Sequence, residues 1–219
     1  NGSYHYFLQK FDNNGQLVWE KSTTPFSYSN FWRNDFYASH VTGITTDPAG
    51  NLYVCGSFGG EQIIFDTISI YQADHYNNYY IAKFDSSGTF KWMTRSGNTG
   101  LGQIFGASDL LYIDSNHLMV MVSGTYSSYG LILPNDSLAL TNTFTSSTMA
   151  LQLNSDGWYQ GSYPVTKGTG TDNLILGPYC PNSDMIITAW MACVDPKMHL
   201  RNDGKIIVTG NFSDSIKFG

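Results

Sequence analysis

The sequence predicts an all-β protein built from four-stranded antiparallel sheets in tandem, on three observations. Acidic residues are lopsided: of 17 Asp and Glu, only Glu20 and Glu61 are Glu. Asp suits turns and caps, whereas Glu suits helix interiors. Turn sequences (DNNG, DPAG, DSSG, NSDG, NDG) punctuate short stretches of alternating apolar residues, the two-residue period of strands. The third observation is repetition. "KFDNNGQLVW" (10–19) returns 73 positions later as "KFDSSGTFKW" (83–92).

Each element follows from these patterns. A hairpin motif occurs as "YFLQKFDNNGQLVW" (6–19), "YYIAKFDSSGTFKW" (79–92) and, degraded, "TMALQLNSDGWYQG" (148–161). In the second copy Tyr80, Ala82 and Phe84 share one strand face and Tyr79, Ile81 and Lys83 the other. Asp85 accepts backbone N–H groups across the turn, Gly88 takes the left-handed conformation, and the returning strand carries Trp92 as a large apolar contact. A glycine-strand motif alternates with it: "DPAGNLYVCGSF" (47–58), "DSNHLMVMVSGTY" (114–126) and "RNDGKIIVTGNF" (201–212). With an upstream strand such as 40–46 or 107–113, each unit has four strands. The apolar stretches 62–70 and 129–140 lie between the motifs and form an outer hairpin or a long loop.

Tandem four-stranded units predict a β-propeller, in which radial packing buries both sheet faces. The chain then divides into a half blade (1–22), blades at 38–97 and 105–165, an insertion at 165–200 and a half blade at 185–219. About three blades' worth is too few to close a ring of four to eight, so the remaining blades belong elsewhere in the same polypeptide. Without a start Met and stopping in mid-pattern, the chain reads as a portion of a longer one. A β-sandwich pair or a β-solenoid is the structural alternative. The step between glycine strands is 68 residues from Gly56 to Gly124 but 86 from Gly124 to Gly210. The excess is the insertion, either a binding face or a stapled decorative loop.

Composition narrows the function. A net charge of −6 with scattered Lys and Arg leaves no basic patch for nucleic acid, and no apolar run is long enough for direct membrane insertion. The charged fraction of 13% and the abundance of Tyr, Asn, Ser, Thr and Gly point to an exported, extracellular or cell-surface setting. Three cysteines allow at most one internal disulfide. Cys180 and Cys193 share the insertion and form the candidate pair, while three buried thiols including Cys55 is the other reading.

At these motifs the chain resembles the bacterial β-propeller repeat family known as SBBP, whose repeats run roughly D-x-x-G-N-x-Y-V-x-G and then Y-I-x-K-x-D-x-x-G-x-x-x-W. Segments 47–58 and 79–92 match both halves, and the resemblance covers nearly the whole chain. The third hairpin motif departs, with Gln152 for Lys and Gly161 for Trp. The resemblance implies a propeller in a secreted or surface-exposed protein. In Bacteroidetes, such repeats occur in large proteins exported through the type IX outer-membrane machinery. The family shares no catalytic residues, so none is carried over.

Asp66-Thr67-Ile68, Asp136-Ser137-Leu138 and Asp214-Ser215-Ile216 resemble the Asp-Ser/Thr-aliphatic O-glycosylation motif of that group, which makes Thr67, Ser137 and Ser215 candidate glycosylation sites; ordinary turn chemistry is the plainer reading. Asn135 and Asn211 head N-linked sequons, relevant only in a host that glycosylates Asn. The five histidines show no metal-ligand spacing, "FDNNGQLVWE" lacks the acidic positions of a calcium loop, and no nucleophile, Walker or dinucleotide motif occurs, so no catalytic residue, metal or cofactor is expected. "FSYSNFWRNDFY" supplies a candidate aromatic binding loop of Phe26, Tyr28, Phe31, Trp32 and Tyr37; packing between blades is its plainer reading. The expected function is a non-catalytic surface module for adhesion, assembly or binding of protein or glycan. An accessory or site-bearing propeller of a glycan-active or proteolytic enzyme, and a passive spacer or passenger of a secretion system, are the alternatives.

Overall fold

The computed structural model describes residues 7–22, 40–58, 62–65, 68–71, 78–97, 105–125, 128–132, 137–141, 146–167, 197–209 and 217–218. Every regular element among them is a β-strand. In chain order these are β1 (Phe7–Phe11), β2 (Leu17–Ser22), β3 (His40–Thr46), β4 (Leu52–Phe58), β5 (Gln62–Phe65), β6 (Ile68–Tyr71), β7 (Asn78–Phe84), β8 (Phe90–Gly97) and β9 (Phe105–Asp114). They continue as β10 (His117–Thr125), β11 (Ser128–Ile132), β12 (Ser137–Thr141), β13 (Ser146–Leu153), β14 (Tyr159–Lys167), β15 (Lys197–Leu200), β16 (Ile206–Thr209) and β17 (Lys217–Phe218).

Two antiparallel four-stranded meanders form the body: β3-β4-β7-β8 and β9-β10-β13-β14. Their registers correspond, with Leu52 opposite Phe84 in the first and Leu118 opposite Leu153 in the second. The β1–β2 and β15–β16 hairpins flank them as two-stranded sheets. The turns have the expected chemistry. Asp85 Oδ1 accepts the Ser87 and Thr89 N–H groups at 2.9 Å each, and Gly88 sits at φ +82°.

The apolar stretches between the motifs are hairpins, β5–β6 and β11–β12. The second joins the preceding sheet: β11 pairs with β8 through Gly130–Gly97, Leu131–Ser96 and Ile132–Arg95. β17 likewise adds to β14, through Thr166–Phe218 and Lys167–Lys217. The sheets therefore carry six and five strands, and each added strand covers part of an edge that would otherwise present unpaired backbone groups.

Alternation along the strands places one apolar set on each sheet face, and both faces are buried. Tyr80, Ala82 and Phe84 pack with Leu8, Trp19 and Val54, between β1–β2 and the first sheet. On the opposite face, Tyr79 and Ile81 pack with Leu110, Leu118 and Leu151, between the two meanders. Met119 and Met121 pack with Met198 and Ile206, between the second meander and β15–β16. Four sheets thus stack in chain order with an apolar layer at each joint. Burying one side chain of the size of Ile81 or Leu118, both 0% exposed, contributes roughly 1.5–3 kcal/mol, so these layers dominate the packing energy.

The first strands come especially close. Bulges leave Thr42 and Ser108 unpaired in their ladders, and a Cβ on Gly43 would stand 3.0 Å from the Asp109 Cα and 2.9 Å from Leu110 Cδ2. Only a residue without a side chain allows β3 to approach β9 so closely.

Candidate functional site

The residues that recur most strictly in the sequence meet at the joints between sheets. Lys10 and Trp19 face each other across β1–β2, and Lys83 and Trp92 do so across β7–β8. Each pair reaches one turn of the next sheet. Lys10 Nζ and Trp19 Nε1 both donate to the Ser86 carbonyl, at 2.9 and 3.2 Å. Lys83 Nζ and Trp92 Nε1 both donate to the Ser155 carbonyl, at 2.8 and 3.1 Å. Asp85 and Asn154 commit their own carbonyls to the Gly88 and Gly157 N–H groups, which leaves the following carbonyl as the outward acceptor of each turn.

The indoles complete each clasp. An ideal Cβ on Gly88 or Gly157 would lie 2.9 Å from Cδ2 of Trp19 or Trp92, so the glycine that turns the chain also seats the ring. The Lys83 ammonium lies 5.2 Å from the Tyr53 ring centroid, close enough for cation–π attraction. Beside the first turn, Lys91 sits 2.8 Å from Asp85 and, with the Ser87 and Thr89 donors, holds its carboxyl far below the usual range.

The third hairpin motif has lost the clasp. Gln152 and Gly161 occupy the Lys and Trp places. Gln152 instead reaches the Asn116 carbonyl of its own sheet at 3.4 Å and accepts the Tyr163 hydroxyl at 2.9 Å. The joint to β15–β16 is made elsewhere, through Lys197. Its ammonium donates to the bulge carbonyls of Thr42 at 3.0 Å and Ser108 at 3.1 Å, with the Asp109 carboxylate at 3.7 Å. The Met198 N–H donates to Asp109 Oδ2 at 2.7 Å, and the Thr42 hydroxyl donates to the Ala107 carbonyl. One lysine therefore ties three first strands together. Among the described residues, the buried Ser108 hydroxyl beside it has no hydrogen-bond partner.

A smaller cluster stiffens the first turn of the first sheet. Asn51 Nδ2 and the Tyr53 hydroxyl donate to Asp47 Oδ2 at 2.7 and 3.2 Å. Burial pushes the Asp47 carboxyl up, but the Asn51, Tyr53 and Ala49 hydrogen bonds together hold it below its ordinary value. Burial, and then the nearby Asp47 charge, push the Tyr53 phenol well above its ordinary value. The Tyr53 ring stacks on Tyr112 with centroids 5.6 Å apart.

Of the residues singled out from sequence, Phe26, Tyr28, Phe31, Trp32, Tyr37, Thr67, Cys180, Cys193 and Ser215 lie outside the described residues. Ser137 is the first residue of β12, opposite Ile132. Cys55 is buried in the layer between the meanders, its thiol 3.6 Å from the Thr42 hydroxyl. His117 contacts Asp114 at 2.7 Å on the surface, and among the described residues no three His, Cys, Asp or Glu side chains cluster as metal ligands. No helix among them is long and apolar enough to cross a membrane. The clasps and the Lys197 junction were missed as sites. The signal for the clasps was present in the in-register recurrence of Lys and Trp with the Asp-x-x-Gly turn, whereas Lys197 belongs to no such recurrence.

Comparison with known proteins adds one partial likeness. The chain is 32% identical over 66 residues to a protein of Acanthamoeba polyphaga mimivirus described as an uncharacterized WD repeat-containing protein, L264. The match covers 27% of this chain and 5% of that protein. No protein-family model matches the chain, and no solved structure matches it.

Proposed function

We propose that this chain is part of a β-propeller, a non-catalytic module of an exported cell-surface protein that serves adhesion, assembly or display of a protein- or glycan-binding surface. One observation carries the architectural half: two successive joints use the same Lys–Trp clasp, each directed from one sheet to the turn of the next. Joints of one design and one direction, with apolar layers on both sheet faces, favour rotation about a common axis. The convergence of three first strands on Lys197 agrees with strands lining such an axis. A partial likeness to a WD repeat-containing protein points the same way.

The functional half rests on chemistry. The polar, weakly charged, Tyr-rich composition suits an exported protein, and the charged groups of the joints are engaged in holding sheets together. Missing blades would come from the same polypeptide. Electron microscopy of the full polypeptide tests the ring, and protease shaving of intact cells tests the location. A glycan array and a pull-down with the whole propeller test binding. An open, unringed stack, or a protein resistant to shaving until lysis, would count against the corresponding half.

A further inference from the structure

The turn at 12–15 is built like the two turns that receive clasps, yet among the described residues it receives none. Asp12 Oδ1 accepts the Asn14 and Gln16 N–H groups at 2.8 Å each, the Gly15 N–H donates to the Asp12 carbonyl at 3.0 Å, and Gly15 has φ +77°. These values match the turn at 85–88, where Gly88 has φ +82° and its N–H meets the Asp85 carbonyl at 2.8 Å. Gly88 and Gly157 are buried beneath indoles, whereas Gly15 is exposed and nothing among the described residues lies within 4 Å of where its Cβ would be. Asn13 stands where Ser86 and Ser155 stand in the clasped turns.

The geometry points to turn 12–15 as a docking site for a Lys–Trp pair carried by a further hairpin of this repeat class. The incoming ammonium and indole N–H would both donate to the Asn13 carbonyl, with the indole seated on Gly15. A second copy of this chain cannot supply the pair, because Lys10–Trp19 and Lys83–Trp92 are already engaged. The third hairpin of a second copy cannot either, since it carries Gln152 and Gly161. The occupant is therefore a hairpin of another unit with its own cross-strand Lys and Trp. This inference rests on the stacking half of the proposed function and is independent of the cell-surface half.

The test uses a backbone-cyclised peptide of residues 79–93, which carries the pair in hairpin form, titrated into the 219-residue chain and followed by amide NMR. Cyclisation is needed because isolated hairpins are marginally stable. Saturable shifts centred on residues 12–16 are expected. Lys83→Ala or Trp92→Ala in the peptide weakens binding by about tenfold, the scale of one lost hydrogen bond. Gly15→Asn in the chain abolishes the shifts with the rest of the spectrum unchanged, since Asn tolerates the left-handed backbone and fills the indole seat. The proposal is overturned by absence of saturable shifts, by undiminished binding to Gly15→Asn, or by shifts confined to the β1 or β16 edges. If the peptide fails but microscopy still shows a ring, the clasp inference falls alone.

Discussion

Trp92 rests its indole on Gly157 of the next sheet, and an added Cβ there would stand 2.9 Å from Cδ2 and 3.0 Å from Cε3 of the ring. This contact explains why Trp and Gly recur together. Glycine at this place serves two constraints at once, a backbone at φ +85° and an open seat for a ring from another sheet.

Trp92→Ala is therefore expected to be among the most destabilising single changes. Trp92 is 8% exposed, and truncation removes both its packing and its hydrogen bond to Ser155. Loss of about 3–5 kcal/mol is expected, read as a lowered urea midpoint. Trp158→Ala, at a ring 38% exposed, should cost about 1 kcal/mol or less.

Asp109→Ala should loosen the joint to β15–β16. The change removes the acceptor of the Met198 N–H and the carboxylate beside Lys197. A cost of about 1–3 kcal/mol is expected, with faster amide exchange at Met198 as the local signature. Lys197→Met, at a side chain 43% exposed, should cost less, because water can take over part of the carbonyl hydrogen bonding.

Acid should destabilise the fold in a defined window. Contact with Lys91 lowers the Asp85 carboxyl, and contact with His117 lowers that of Asp114. Each folded-state value lies below the unfolded one, so the stabilisation is present above about pH 4 and is lost as pH falls through the folded values. Urea midpoints measured from pH 7 to pH 2 should fall within that window, and Asp85→Asn should flatten the fall. An unchanged slope in that variant would remove Asp85 from the account.

Hydrogen exchange should rank the strands by their pairing. β7 lies between β4 and β8, and β10 between β9 and β13, so their amides should exchange most slowly. Those of β1–β2 and β15–β16, two-stranded sheets with exposed Phe7, Val18, Ile207 and Val208, should exchange faster by at least about tenfold.

Much of this fold was legible because strand alternation and turn chemistry are local. Tyr80 and Phe84 shared a predicted face and share a buried layer, and Asp85 and Gly88 shape the turn assigned to them. The partners of Lys83 and Trp92 were not legible. A carbonyl acceptor leaves no mark on residue type, and Ser155 is 63 residues beyond Trp92. The destination of β11 was hidden for the same reason, since backbone pairing with Ser96 requires no particular side chain. Lys197 stood in an insertion whose length gave no register, so nothing linked it to bulges at Thr42 and Ser108.

The central claim is that the recurring residues join one sheet to the next, and a double-mutant cycle between Trp92 and Gly157 tests it most directly. Gly157→Ala alone should cost about 1–2 kcal/mol for its left-handed backbone and about 1–3 kcal/mol more for the collision with the ring. In a Trp92→Ala background the collision part should vanish, leaving a cost equal to that of Gly15→Ala, where no ring among the described residues is seated. Additive costs for the two changes would contradict the account.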